Sequence, residues 1–248
     1  CDLGVLEHWQ RGRSCESVCP SNVPYGEIVA LAREEIKPER SKLVGQLMDA
    51  VAAPGQMQKM LAKLKFYQKS GLQRLVQGSG LLKGEFKAAE GLLKYSSTER
   101  LQDYYPAKGE FEGTIQLFPG CMGESFDQQT VTDSVSLLNR LGFSVKMALP
   151  SGCCGAMHHH NGEVSRGLKL RADTLGGLFN AKDDVVIGLA SSCVARLNER
   201  SSSNDELEMA SVIEITDFLF SQLERMGERL SSAKRKIAVH QPCTTRNL

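Results

Sequence analysis

The stretch Gly113-Thr114-Ile115-Gln116-Leu117-Phe118-Pro119-Gly120-Cys121 decides how the rest of the chain reads. Thr114 to Phe118 is a short β-prone run closed by Pro-Gly, which predicts a strand ending at a turn. Val131, Val135, Leu138 and Leu141 then recur at helical spacing, with Gly142 as the C-terminal stop. Phe143, Val145, Met147 and Leu149 alternate as a second strand, and Val164, Leu168, Leu175 and Phe179 mark a second helix. Val185-Val186-Ile187-Gly188-Leu189 is an unbroken apolar run of the kind found in buried parallel strands. Val212 to Ile215 offers another strand, Thr216 a cap for a helix running through Leu223, and Lys236 to His240 a last strand. This alternation predicts an α/β fold built on a parallel sheet.

Working outward, the cysteines fall just after the strands. Cys121 follows the first, Cys153-Cys154-Gly155 the second, Cys193 the third and Cys243 the last. In open parallel sheets, ligands bind beyond the carboxyl ends of the strands, so these thiols are expected to converge. Ser191 and Ser192 are candidate caps for a helix that begins at Cys193, and a helix N-terminus would lower that thiol's pKa. Gly120 and Gly155 would let the backbone pass close to a bulky inorganic group. Four sulfur donors suit an iron–sulfur cluster or tetrahedral zinc. The long gaps between donors, and the adjacent pair, favour a cluster with several iron corners. A metal-free site stays open on the residues alone.

The chain has 248 residues, 30 Lys and Arg against 29 Asp and Glu, and a net charge of +1, which leaves no basic field for nucleic acid or anionic lipid. No apolar run has the length of a transmembrane segment, and no secretory signal opens the chain. Eight cysteines are too few for a disulfide scaffold of this length, and their clustering points to metal ligation in a reducing compartment. From Gly26 to about Ser97 the pattern is helical and carries neither Cys nor His: Leu43, Leu47 and Val51 share one face, and Met57 to Val76 continues the pattern as far as Gly78-Ser79-Gly80. This segment reads as a helical linker or packing layer, with its Lys and Arg residues on solvated faces. Ahead of it, Cys15-Glu16-Ser17-Val18-Cys19-Pro20 is the C-x3-C-P end of a bacterial ferredoxin run, but Trp9 and Gly12 stand where two earlier ligands belong. Cys19 would complete a cluster whose other ligands lie upstream, while Cys15 would belong to a local cluster that is lost or completed by Cys1 or His8.

These motifs resemble the glycolate oxidase iron–sulfur subunit family. Cys15 to Tyr25 is similar to the end of its second ferredoxin motif. Pro119-Gly120-Cys121, Cys153-Cys154-Gly155-Ala156-Met157-His158-His159-His160 and Ser192-Cys193 resemble its cysteine-rich CCG domain, which is shared with heterodisulfide reductases and lactate-utilisation iron–sulfur proteins. His240-Gln241-Pro242-Cys243 resembles the opening of a second CCG domain. The resemblance implies 4Fe-4S cluster ligation by Cys121, Cys153, Cys154 and Cys193, with Cys15, Cys19 and Cys243 as ligands of other clusters. It implies an electron-transfer subunit beside a flavoprotein dehydrogenase that oxidises a 2-hydroxy acid such as glycolate. Electrons would pass to a quinone or another membrane-associated acceptor, in the cytoplasm or at the inner face of the membrane. The alternatives are a heterodisulfide-reductase-like thiol/disulfide oxidoreductase and a cluster-less structural or assembly module. Against the reductase, Arg196 stands where its C-x-x-C pattern puts a last cysteine.

The expected organisation is the C-terminal part of a ferredoxin-like motif at 1–24, a helical linker at 25–112, a first CCG domain at 113–235, and the start of a second at 236–248. A chain that opens on Cys1 and stops soon after Cys243 reads as a fragment of a longer protein. His158 and His160 are candidates for donating N–H to cluster sulfur, with Gly155 beside them; a polar turn and direct ligation are the competing readings of the three histidines. No dinucleotide-binding glycine fingerprint or Ser-His-Asp arrangement is present.

Overall fold

A computed structural model describes residues 14–21, 23–37, 41–53, 56–80, 82–92, 101–179, 185–199, 211–227, 236 and 238–239. Cys1, His8, Trp9 and Cys243, with residues 237 and 240 of the strand expected over 236–240, lie outside the described residues, and Lys236, Ala238 and Val239 are not in a strand. The first part is helical, with α1 (Ser14–Ser17), α2 (Tyr25–Ile36), α3 (Lys42–Ala52), α4 (Gln56–Lys69), α5 (Leu72–Ser79) and α6 (Gly84–Leu92). The pattern expected to run unbroken from Met57 to Val76 is split at Gly71, whose φ of 79° no helix interior accepts. Gly78 stays inside α5, and the break falls at Gly80.

The α/β part follows as β1 (Tyr104–Tyr105), β2 (Gly113–Phe118), α7 (Gly120–Phe126), α8 (Gln128–Arg140), β3 (Phe143–Met147), α9 (Ala156–His160), α10 (Val164–Leu178), β4 (Val185–Gly188), α11 (Ser191–Asn198), β5 (Val212–Glu214), α12 (Ile215–Ser221) and α13 (Leu223–Met226). The five strands form one sheet in the order β1-β3-β2-β4-β5. β3, β2, β4 and β5 are parallel; β1 adds an antiparallel edge, so the sheet reaches back before Gly113. The last helix starts at Ile215 with Glu214 as its cap residue, ahead of the expected Thr216, because β5 passes into it without a loop.

Alternating residues of each strand feed two apolar layers. Ile115, Leu117, Val145, Met147 and Ile187 pack with Val131, Val135 and Leu138 of α8 and Phe218 of α12. On the opposite face, Phe118, Val186 and Val212 pack with Leu175 and Leu178 of α10 and with Val194 and Leu197 of α11. Cys154 and Ala156 close this second layer at the carboxyl edge of the sheet.

The turn into α9 depends on Gly155. Its φ is 76°, and a Cβ there would stand 2.0 Å from the Gly167 carbonyl oxygen of α10. The space that the sequence suggested for an inorganic group is therefore taken by a neighbouring helix. Gly155→Ala is expected to destabilise the chain by about 2–4 kcal/mol, from left-handed strain plus overpacking. Gly176→Ala, exposed in the last turn of α10 with nothing within 4 Å of an added Cβ, is expected to stabilise it by about 0.5 kcal/mol. Urea unfolding of the two variants checks both signs.

Candidate metal centre

Three strand ends deliver four thiols to one place. Parallel pairing of β2 with β3 and with β4 aligns their carboxyl ends, and each end turns at once into a loop or helix. Cys121 is the second residue of α7, and Cys193 is the third residue of α11, its N–H bonded to the Ala190 carbonyl at 2.9 Å. Cys153 and Cys154 occupy the loop between β3 and α9. That loop is pinned by three hydrogen bonds: Ser151 N–H to Glu124 Oε2 at 2.8 Å, Ser151 Oγ to the Ala148 carbonyl at 3.1 Å, and Thr174 Oγ1 to the Cys153 carbonyl at 2.9 Å.

Cys154 Sγ lies 3.2 Å from Cys193 Sγ, and Cys121 hydrogen-bonds Cys153. The two pairs are themselves neighbours, since Cys121 and Cys193 each feel the charges of Cys153 and Cys154, and Cys193 feels that of Cys121. The turn at Gly120 brings the Cys193 sulfur within 3.6 Å of where a Gly120 Cβ would be. Among the described residues, no three His, Cys, Asp or Glu side chains converge where one metal ion would be held; the sulfurs meet as two pairs.

Each pair shares a proton unequally. Hydrogen bonding from Cys121 lowers the Cys153 thiol to about 5, helped by nearby His158 and by the Gly155 N–H, 3.4 Å from Cys153 Sγ. Cys154 is lowered by its bond with Cys193, with the Ala156 N–H and the Arg196 charge in support. Cys121 and Cys193 are pushed up, first by the partner sulfur and then by burial. The N-terminal position of Cys193 thus does not make it the thiolate. The loop sulfurs are the ones lowered, because they receive two backbone N–H groups and sit beside His158 and Arg196. The cap residue of α11 is Ala190, not a serine, and it makes no side-chain cap hydrogen bond.

The histidines form the short helix α9, where a polar turn was one reading. His158 and His159 are fully buried, and His160 is half-buried. His158 is the imidazole that acts on the thiols, being close enough to favour the Cys153 thiolate, although its ring nitrogens are not aligned for a hydrogen bond. Glu163 stands behind it at 3.9 Å. The His160 carbonyl accepts from Arg33 Nη1 of α2 at 2.9 Å. His159, which no motif singled out, faces Glu27 of α2 at 3.4 Å.

The helical segment is a wall of the site. Ala50 and Val51 of α3 and Met57 and Leu61 of α4 pack in one cluster with Cys153, and Cys121 and Met157 lie against it. A cavity of about 250 Å³ remains between α3, α7 and the Cys153 loop, with Cys121, Cys153, Glu124 and Thr174 on its surface. Cys15 on α1 is exposed and Cys19 half-buried. Among the described residues, no helix is long and apolar enough to cross a membrane.

A parallel sheet whose strand ends carry Cys, Cys-Cys-Gly and Cys defines a cysteine-rich CCG domain, and residues 115–198 match the family described as "Cysteine-rich domain". Residues 38–93 match "Glycolate oxidase iron-sulfur subunit, linker region". A probable glycolate oxidase iron–sulfur subunit of Bacillus subtilis is 29% identical over 202 residues, covering 75% of this chain and 45% of that protein. The glycolate oxidase iron–sulfur subunit of Escherichia coli is 23% identical over 256 aligned positions, covering 98% of this chain and 60% of that protein. The chain spans about half the length of these curated relatives. Both family matches and both relatives support a likeness to the glycolate oxidase iron–sulfur subunit family over the linker and the CCG domain. No solved structure matches it.

Oxidation of the metal-free chain reads the geometry directly. Each disulfide forms with loss of two protons and two electrons to the oxidant, and the expected links are Cys154–Cys193 and Cys121–Cys153. In Cys153→Ser the Cys154–Cys193 link should persist. Peptide mapping by mass spectrometry that found mainly links to Cys15 or Cys19 would contradict the arrangement.

Proposed function

We propose that this chain is an electron-transfer subunit whose Cys121, Cys153, Cys154 and Cys193 hold a 4Fe-4S cluster. It would accept electrons from a flavoprotein partner that oxidises a glycolate-type 2-hydroxy acid. In that oxidation the hydroxy acid becomes a 2-oxo acid, giving two electrons and two protons to the flavin. The cluster supplies a one-electron carrier between flavin and a final acceptor such as a quinone.

One observation carries the reading. Among the described residues, the buried side-chain nitrogens and oxygens without a hydrogen-bond partner are Nδ1 and Nε2 of His158 and Nε and Nη2 of Arg196. Both residues flank the thiols, one beside Cys153 and the other bearing on Cys154. Buried polar groups are ordinarily satisfied, so unpartnered nitrogens beside a thiol set call for hydrogen-bond partners there. The sulfurs of a cluster supply them. Two separated thiol pairs also suit a group with several metal corners better than a single ion.

The chain's own residues then have distinct tasks. The four thiols bind. The Gly155 and Ala156 amides, with His158 and Arg196, offset the negative charge of buried thiolates. Apolar residues of α3 and α4 pack against Cys153. The same reading assigns Cys15 and Cys19 to a ferredoxin-like cluster and Cys243 to a second CCG site. It puts the protein in the reducing cytoplasm, reaching the inner face of the membrane through partners.

Anaerobic reconstitution with iron and sulfide tests this. The expected product carries iron and acid-labile sulfide in equal amounts, with a cluster EPR signal on reduction. Cys154→Ala and Cys193→Ala should lose that signal, whereas Cys15→Ala should keep it. His158→Leu should weaken iron retention about 10- to 100-fold. A chain that takes up zinc tightly and no iron would overturn the reading.

A further inference from the structure

Arg196 is placed as no ordinary surface arginine is. It lies one helical turn after Cys193 on α11, and only 5% of its surface is exposed. Arginine is almost never buried to this degree without full pairing. Here the pairing covers one side alone: Nη1 meets the Glu199 carboxylate, while Nε and Nη2 have no acceptor. Those two nitrogens form one edge of the planar guanidinium and present two parallel N–H groups, the geometry that grips a pair of acceptor atoms. The Arg196 main chain is held too, its carbonyl accepting from Arg171 Nε at 2.9 Å. The side chain therefore projects from an anchored turn, with its outer nitrogen fixed by a carboxylate and its free edge left over.

We infer that the Nε–Nη2 edge of Arg196 donates to cluster sulfur on the Cys154–Cys193 side and raises the reduction potential of the cluster. This rests on the cluster reading above. Four thiolates leave the bound group negatively charged, and reduction adds one electron more. A fixed positive charge that donates hydrogen bonds favours the reduced form, so it shifts the potential upward. The Glu199 carboxylate, 20% exposed on its outer side, orients the guanidinium as carboxylates orient metal-bound imidazoles. Arg196 is on this account a positioning and tuning residue: it holds no iron and selects the energy at which the electron rests.

Two measurements on the anaerobically reconstituted chain decide the matter. In an EPR-monitored redox titration, Arg196→Gln should lower the midpoint potential, and Arg196→Lys, which keeps the charge but loses the planar edge, should recover part of the drop. In pulsed EPR of the unmutated chain with nitrogen-15 in arginine only, the reduced cluster should show coupling to arginine nitrogen, and the coupling should vanish in Arg196→Lys. The second measurement stands even where Arg196→Gln fails to load iron. A loaded chain without arginine coupling, or one with an unchanged potential in Arg196→Gln, overturns this inference alone. A wild-type chain that takes up no iron removes the cluster reading, and this one with it.

Discussion

The 3.2 Å approach of the Cys154 and Cys193 sulfurs joins two segments separated in sequence by two helices and a strand. It exists because β4 pairs in parallel with β2, and β2 with β3, so that their ends share one edge. A register slip by one residue would exchange the buried and outward sets of the strand and carry the following thiol out of reach. The apolar layers on both faces are therefore part of the site. They specify the register, and the register specifies where the sulfurs stand.

Sulfurs gathered in this way cannot all ionise in a buried setting. In the metal-free protein the partner sulfurs and burial push Cys121 and Cys193 up, while the same contacts bring Cys153 and Cys154 down. Iron bound there would replace the protons and let every sulfur carry charge. His158 has Glu163 at 3.9 Å and Arg196 has Glu199, and each leaves buried nitrogens without a hydrogen-bond partner next to the thiols. The parallel is a physical one: a partly exposed carboxylate stands beside each buried side chain that flanks the thiols.

The sheet was legible because its strands are unbroken apolar or alternating runs bounded by Pro and Gly, and parallel topology follows from the helices between them. The convergence of Cys121, Cys153, Cys154 and Cys193 was legible for the same reason. Other features escaped because they depend on contacts between distant segments. Gly155 announces a turn, but only the structure reveals that Gly167 fills the space beside it. His159 and Glu27 are far apart in sequence and meet because α2 docks on α9 and α10. A linker without Cys or His gave no sign that Ala50, Val51, Met57 and Leu61 would wall the thiols. Ser191 and Ser192 looked like caps by type, yet the helix already begins at Ser191, so the cap position falls to Ala190. Arg196 registered only as a missing cysteine, because burial of a charged residue leaves no mark on composition or periodicity.

Everything said of the thiols, His158 and Arg196 depends on one cluster sitting among the four sulfurs at the β2, β3 and β4 ends. An anaerobic crystal structure of the reconstituted chain, with an anomalous map at the iron edge, tests this most directly. The predicted result is a compact multi-iron peak bounded by the Sγ atoms of Cys121, Cys153, Cys154 and Cys193. A single metal atom held by fewer of them, or iron located away from these thiols, would contradict it.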